Sequence, residues 1–307
     1  MFLRHRLKQF ALSVMCAALL SVSLFSIAAR AETSAQAKVK EAPSRFAKLD
    51  GMRVRYRDSG KGGSDALVFV HGWTCNLNFW RMQFPAFDAK TRVIALDLPG
   101  HGESDKPQIA YTMELFARAV DAVLRDAGVK RAVLVGHSMG VPVVRQFYRK
   151  YPEKTLALVN VDGALRPFVP GAEWEKFVAP MRGPNYKEVA GKMIEGMMPP
   201  QHPAALKDEV KTAMLATPQH VAVSAFAAMG DDAIWTDDQI KVPALAVLAR
   251  NPFWPADNEA RFRQVAPDLD YRMWDGVSHF LMMDKPQEFN ETLAAFLTSK
   301  RLLLPQK

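Results

Sequence analysis

From residue 46 onward, short apolar runs alternate with stretches whose apolar positions recur every three or four residues. Phe46 to Leu49 and Met52 to Tyr56 flank Asp50-Gly51 and predict a hairpin. Continuous apolar runs follow at Ala66 to Val70, Arg92 to Leu96, Ala132 to Val135, Leu156 to Val161 and Ala244 to Ala249, with a further strand expected near Leu269 to Trp274. Between them lie helical patterns. One starts at Thr112 as an N-cap, presents Leu115, Phe116, Ala119, Val120, Val123 and Leu124, and stops at Gly128. Others run from Met139 to about Tyr151, near Asp257 to Val265, and from about Pro286 to Leu297. Strands that are apolar on both faces and alternate with helices predict an α/β fold, a mainly parallel sheet with helices on both faces.

Residues 164–235 break this rhythm. They hold several prolines, six methionines and helical patterns without a convincing strand, and are expected to form a helical cap inserted between strands. The core is then split into residues 46–163 and 236–307. Ligands in such sheets bind beyond the carboxyl ends of the strands, and the polar motifs fall there.

The start of the chain changes the charge picture. Arg4, Arg6 and Lys8 precede an apolar run from Ala11 to Ala28, and Ala29-Arg30-Ala31 offers small residues where a signal peptidase reads. Residues 1–31 therefore read as a secretory signal cut after Ala31, and residues 32–45 as a soluble spacer. The expected location is periplasmic or extracellular. The chain of 307 residues carries 40 basic and 32 acidic residues, a net +8. Without the four basic residues of the signal the balance is 36 against 32, which with no basic cluster argues against a nucleic-acid partner. Nor is a membrane partner expected once the signal is removed. Cys75 alone would remain, so no internal disulfide is available and stability must come from the core.

Gly136-His137-Ser138-Met139-Gly140 follows a buried strand and opens a helix. In that setting the outer glycines permit a sharp turn, Ser138 is presented as a nucleophile, and the helix N-terminus favours developing negative charge. A serine hydroxyl needs a base. His279, after the last strand in Gly276-Val277-Ser278-His279-Phe280, is the candidate, whereas the side chain of His137 is expected to point away from Ser138 and His202 and His220 read as surface or core. The N–H of Met139 and that of Trp73, in His71-Gly72-Trp73 after the first buried strand, are the candidate oxyanion donors.

With these residues placed, the chain resembles the α/β-hydrolase superfamily over nearly the whole length after the signal, including the run Asp97 to Ser104 (DLPGHGES). The resemblance implies a catalytic acid after the strand ending near Arg250, yet the chain reads Arg250-Asn251-Pro252 there. Asp162, where some relatives (a branch of haloalkane dehalogenases) carry their acid, is the first candidate. Asp257 and Asn251 are the alternatives. Serine at position 138 excludes the aspartate ester through which relatives open epoxides or displace halide. Asp97 and His101 are expected to be structural.

The expected activity is a serine hydrolase acting on a carboxylic ester or lactone of an apolar or aromatic small molecule. Trp80, Trp174, Phe177, Phe253 and Trp254 are candidate pocket walls, with Phe226, Trp235 and the cap methionines. A carbon–carbon bond hydrolase, a cofactor-free perhydrolase and a ligand-binding protein with little turnover are the rival readings. No metal site, phosphate loop or dinucleotide fingerprint is found in the sequence, and no cofactor is expected.

Overall fold

The structure, a computed structural model, describes residues 43–303 apart from residue 62. The signal segment and most of the spacer lie outside the described residues. Strands β1 (Ser44–Leu49) and β2 (Met52–Gly60) form the hairpin, turning at Asp50 and Gly51 with left-handed backbone. Ser44 and Arg45, assigned to the spacer from sequence, are therefore the first residues of a strand, paired with Arg57 and Tyr56.

Six more strands follow: β3 (Asp65–Val70), β4 (Arg92–Leu96), β5 (Arg131–His137), β6 (Thr155–Val161), β7 (Ala244–Ala249) and β8 (Leu269–Trp274). The eight strands form one sheet in the order β1-β2-β4-β3-β5-β6-β7-β8. The pairs β1–β2 and β2–β4 are antiparallel and the rest parallel. Successive residues of β5 and β7 are buried although their side chains point to opposite faces, so both faces of the sheet are covered. Helix α1 (Met113–Asp126) is capped by Thr112, whose side chain accepts from the Leu115 N–H, and packs on α2 (Gly140–Lys150) and β1.

Between β6 and β7 the chain forms helices α3 (Gly171–Val178), α4 (Tyr186–Gly196), α5 (Ala204–Leu215) and α6 (Gln219–Ala228), with no strand among residues 164–235. Two arginines of α2 hold both ends of this insertion. Arg145 donates to Leu165 O (2.9 Å) at one end and to Thr236 O at the other, and Arg149 reaches Ile234 O (2.9 Å) and Asp238. Burial depresses the pKa of Arg145 to about 10, which still leaves it cationic near neutral pH. Helix α7 (Asn258–Val265) precedes β8, and α8 (Pro286–Ser299) closes the fold. No described helix is long and apolar enough to cross a membrane.

The parallel register aligns the strand ends. Val70 pairs with Gly136 and Leu96, His137 with Val161, and Val161 with Val247. The residues that follow, His71, Asp97, Ser138, Asp162 and Arg250, consequently emerge along one edge.

Candidate active site

Ser138 turns the chain from β5 into α2 with φ +52°, while its N–H stays in the sheet by donating to Val161 O (3.0 Å). A side chain on Gly136 would meet Gly140 O at 2.4 Å, and one on Gly140 would meet Val70 O at 2.5 Å, so the turn closes only with both glycines. The Ser138 hydroxyl is half-buried and makes no hydrogen bond with a described residue.

Asp162 repeats the device one strand over. Its φ is +46°, its N–H donates to Val247 O (2.9 Å), and its Oδ1 accepts from the Ala249 N–H (2.8 Å). The turn is braced by Asn160, whose amide exchanges two hydrogen bonds with Gly163. Oδ2 is left facing His279 Nδ1 at 2.7 Å, with the Asp162 side chain 2% and the His279 side chain 21% exposed. A carboxylate accepting from Nδ1–H leaves Nε2 free as a base. Thr74, Ser138 and Asp162, three of the non-glycine residues with left-handed backbone, thus cluster at these strand ends. Each such conformation costs on the order of 1–3 kcal/mol and persists where surrounding bonds over-determine it.

The other two acid candidates are not brought to His279. Asn251 closes its own turn, with Oδ1 accepting from the Phe253 N–H (2.9 Å) and Nδ2 donating to Ala249 O (3.2 Å). Asp257 stands at the N-cap of α7 without a side-chain capping bond, is 65% exposed, and pairs with Arg261 one turn on (3.3 Å).

The loop carrying His279 spans back from β8, and three bonds hold it. The His279 N–H donates to Met197 O in the insertion (3.1 Å), His137 Nε2 donates to His279 O (2.8 Å), and the Ser278 N–H donates to Asp284 Oδ2 (2.6 Å). His137, next to Ser138 in the chain, packs its ring against the His279 loop. Its ring lies 4.7 Å from that of His279, and burial keeps it neutral, its pKa well below the usual value. His202, read as surface or core, lies with its Nε2 2.8 Å from Asp284 Oδ1, beside the same loop. A histidine adjoining Ser138 was the one sequence signal for the first contact; none marked the second.

The Trp73 and Met139 N–H groups are buried and donate to no described group, so both are uncommitted. A side chain on Gly72 would come within 3.1 Å of Ser138 Cβ, so this loop approaches closely because residue 72 has none. Asp97, fully buried, accepts from the N–H groups of Leu77 (2.8 Å) and Glu103 (2.9 Å) and from Arg55 (3.2 Å); it organises its loop and does not reach Ser138. His101 is likewise buried and neutral, with a pKa lowered to about 3 by desolvation.

The suggested pocket walls divide. Trp80 is fully buried against Phe69 and Phe289, a core residue and not a wall, because the apolar turn Leu77–Trp80 packs down onto the sheet. Phe253 is 81% exposed and projects away from any enclosed surface. Trp254 packs on Phe168 and Phe262, and Phe177 is half exposed beside Trp174. Trp174 stacks on Phe226, which in turn meets Trp73, an aromatic series leading from the Gly72 loop into the insertion. Among the described residues no cluster could hold a metal ion.

Residues 65–183 match the family described as alpha/beta hydrolase fold, and the eight-stranded topology agrees. The chain has the α/β-hydrolase fold. It is 39% identical over 118 residues to the dihydrolipoyllysine-residue acetyltransferase component of an acetoin cleaving system from Cupriavidus necator, a match covering 38% of the chain but 31% of that relative. It is 28% identical over 268 residues to a 2-hydroxy-6-oxononadienedioate/2-hydroxy-6-oxononatrienedioate hydrolase from Paraburkholderia phymatum, covering 80% and 91% of the two chains. Among solved structures it resembles Est816, described as an N-acyl homoserine lactone degrading enzyme, with TM-score 0.70, 25% identity, and 82% and 100% of the chains covered. The α/β-hydrolases it resembles thus include hydrolases of more than one bond type.

Proposed function

We propose that the protein is a serine hydrolase that cleaves a carboxylic ester or lactone of an apolar or aromatic small molecule through an acyl-enzyme on Ser138. The observation that carries this reading is the convergence of an unpartnered serine hydroxyl on a left-handed turn, a histidine with Nδ1 on a buried carboxylate, and two uncommitted N–H groups. In this reading Nε2 of His279 takes the Ser138 proton as Oγ adds to the substrate carbonyl, a hydrogen bond that forms as the substrate settles. Trp73 and Met139 donate to the oxyanion. The imidazolium, stabilised by Asp162, returns the proton to the leaving alkoxide, and water then frees the acyl group by the same steps reversed. Residues 164–235 act as a cap over the site, and its aromatic and methionine side chains favour apolar acyl groups. The likeness to a lactone-degrading enzyme supports a lactone as one form of the substrate.

Carbon–carbon bond hydrolysis of a diketone is the second reading, favoured by the similarity to the oxononadienedioate hydrolase. The test is a panel of p-nitrophenyl esters of graded acyl length, lactones and a vinylogous diketone, run on residues 32–307 with Ser138→Ala alongside. Ester or lactone turnover that vanishes in Ser138→Ala supports the first reading; turnover of the diketone alone replaces it with the second. We also infer export, with cleavage after Ala31; N-terminal sequencing of the mature protein tests it.

A further inference from the structure

We infer that His71 is the positioning residue of the oxyanion hole, holding the Gly72–Trp73 peptide so that the Trp73 N–H is aimed at the reacting carbonyl. The inference rests on the acyl-transfer reading above. Gly72 O and the Trp73 N–H belong to one peptide unit, which is trans, so the two point in opposite directions. Whatever grips Gly72 O therefore decides where the Trp73 N–H points.

The grip comes from the His71 ring. Its Nε2 accepts from the Leu98 N–H (3.0 Å), which fixes the tautomer and leaves the proton on Nδ1. Nδ1–H then donates to Gly72 O at 2.8 Å, and the Cys75 N–H adds a second bond to the same oxygen at 3.2 Å. Burial lowers the pKa of His71 to about 4, so near neutrality the ring keeps both an acceptor and a donor nitrogen. A flipped peptide would lose both bonds to Gly72 O and leave that oxygen buried without a partner. Beyond the peptide, Thr74 has φ +55° and its carbonyl accepts from Thr217 (3.1 Å), so the loop is fixed on its far side as well. Leu98 follows Asp97, the buried anchor of the DLPGHGES run. That run thus acts on catalysis at one remove: it sets the tautomer of His71, and His71 sets the donor.

The test compares His71→Leu, His71→Asn and His71→Gln with wild type, on an ester that wild type turns over. The side-chain amide of Asn stands near the Nδ1 position and retains a donor for Gly72 O; Leu has none, and the Gln amide reaches the Nε2 position instead. Losing one oxyanion donor costs about 10²–10³ in kcat. His71→Leu is expected to lose kcat by roughly tenfold to several hundredfold with KM within about twofold, and His71→Asn to recover a large part. The inhibition constant of an arylboronic acid, whose serine adduct is tetrahedral, should rise in proportion to the fall in kcat. If His71→Leu does not fold, His71→Asn is expected to exceed His71→Gln in kcat by at least about tenfold. Equal values for Asn and Gln, a KM that rises as kcat falls, or a boronate affinity unmoved by a loss of kcat would overturn the inference. Activity that depends on Ser138 but ignores His71 removes this inference alone. Activity indifferent to Ser138→Ala removes the acyl-transfer reading and this inference with it.

Discussion

The strand-end edge of the sheet and the inserted helices 164–235 are built on different principles. At the edge, position is set by backbone. Ser138 and Asp162 keep their N–H groups in the ladder while their φ angles turn positive, and the side chains follow from that turn. In the insertion, position is set by side-chain packing, through Trp174 on Phe226 and Phe226 on Trp73, with Trp174 and Trp235 donating to nearby carbonyls. Backbone ladders tolerate little displacement; aromatic packing can be re-cut. In the proposed function the chemistry belongs to the edge and the choice of substrate to the insertion. Hydrogen bonds join the two: from Arg145 and Arg149 at the base, from Thr217 to Thr74 O and Trp73 Nε1 to Ala222 O beside the Gly72 loop, and from the His279 N–H to Met197 O.

The largest effect that sharpens this contrast lies at the edge. Ser138→Ala should reduce kcat by about 10⁴-fold or more, with the fold intact by circular dichroism. Next, Asp162→Asn should lower kcat by roughly 10²–10⁴, because the amide can no longer stabilise the imidazolium, while Asp257→Asn and Asn251→Ala stay within about twofold. A full effect at Asp257 instead would mean that the edge is wired differently from the description above.

The choice among these three residues was the part of the site least legible in the sequence. The alternation of runs, the hairpin, the Gly136–Gly140 elbow and the position of His279 after the last strand could be read because each is local in the chain. The 2.7 Å contact between Asp162 and His279 joins residues 117 apart and depends on a left-handed residue and on a loop reaching back from β8. Trp80 misled for a related reason: an apolar turn at a strand end reads alike whether it lines a cleft or packs downward. His202–Asp284 was invisible because neither residue carries a pattern that names its partner.

Smaller effects are expected in the insertion. Trp174→Ala or Phe226→Ala should shift the preferred acyl length and change kcat/KM by about tenfold between esters, leaving the Ser138 dependence untouched. A uniform loss across all esters would break the comparison, since it would place these side chains with the chemistry. Phe253→Ser should be the mildest, within about 0.5 kcal/mol in stability and with unchanged kinetics, because its ring already faces solvent.

Acid should act mainly on the edge. His71, His101 and His137 are buried neutral, with folded pKa values below the unfolded one near 6.5, two of them at about 4 and about 3. The unfolded chain therefore binds more protons in this window, and stability is complete above about pH 6.5 and falls as pH drops toward 4. Urea unfolding at pH 7 and pH 5 should show the loss; equal stability at both would place these rings in water.

The most direct measurement is the covalent intermediate itself. Wild-type protein mixed with p-nitrophenyl acetate and quenched in acid should carry one acetyl group, located by peptide mass spectrometry on Ser138 and enriched in Asp162→Asn if deacylation slows. A burst of p-nitrophenol equal to the enzyme concentration should accompany it. Turnover with no adduct, or an acetyl group on any other residue, would contradict the account.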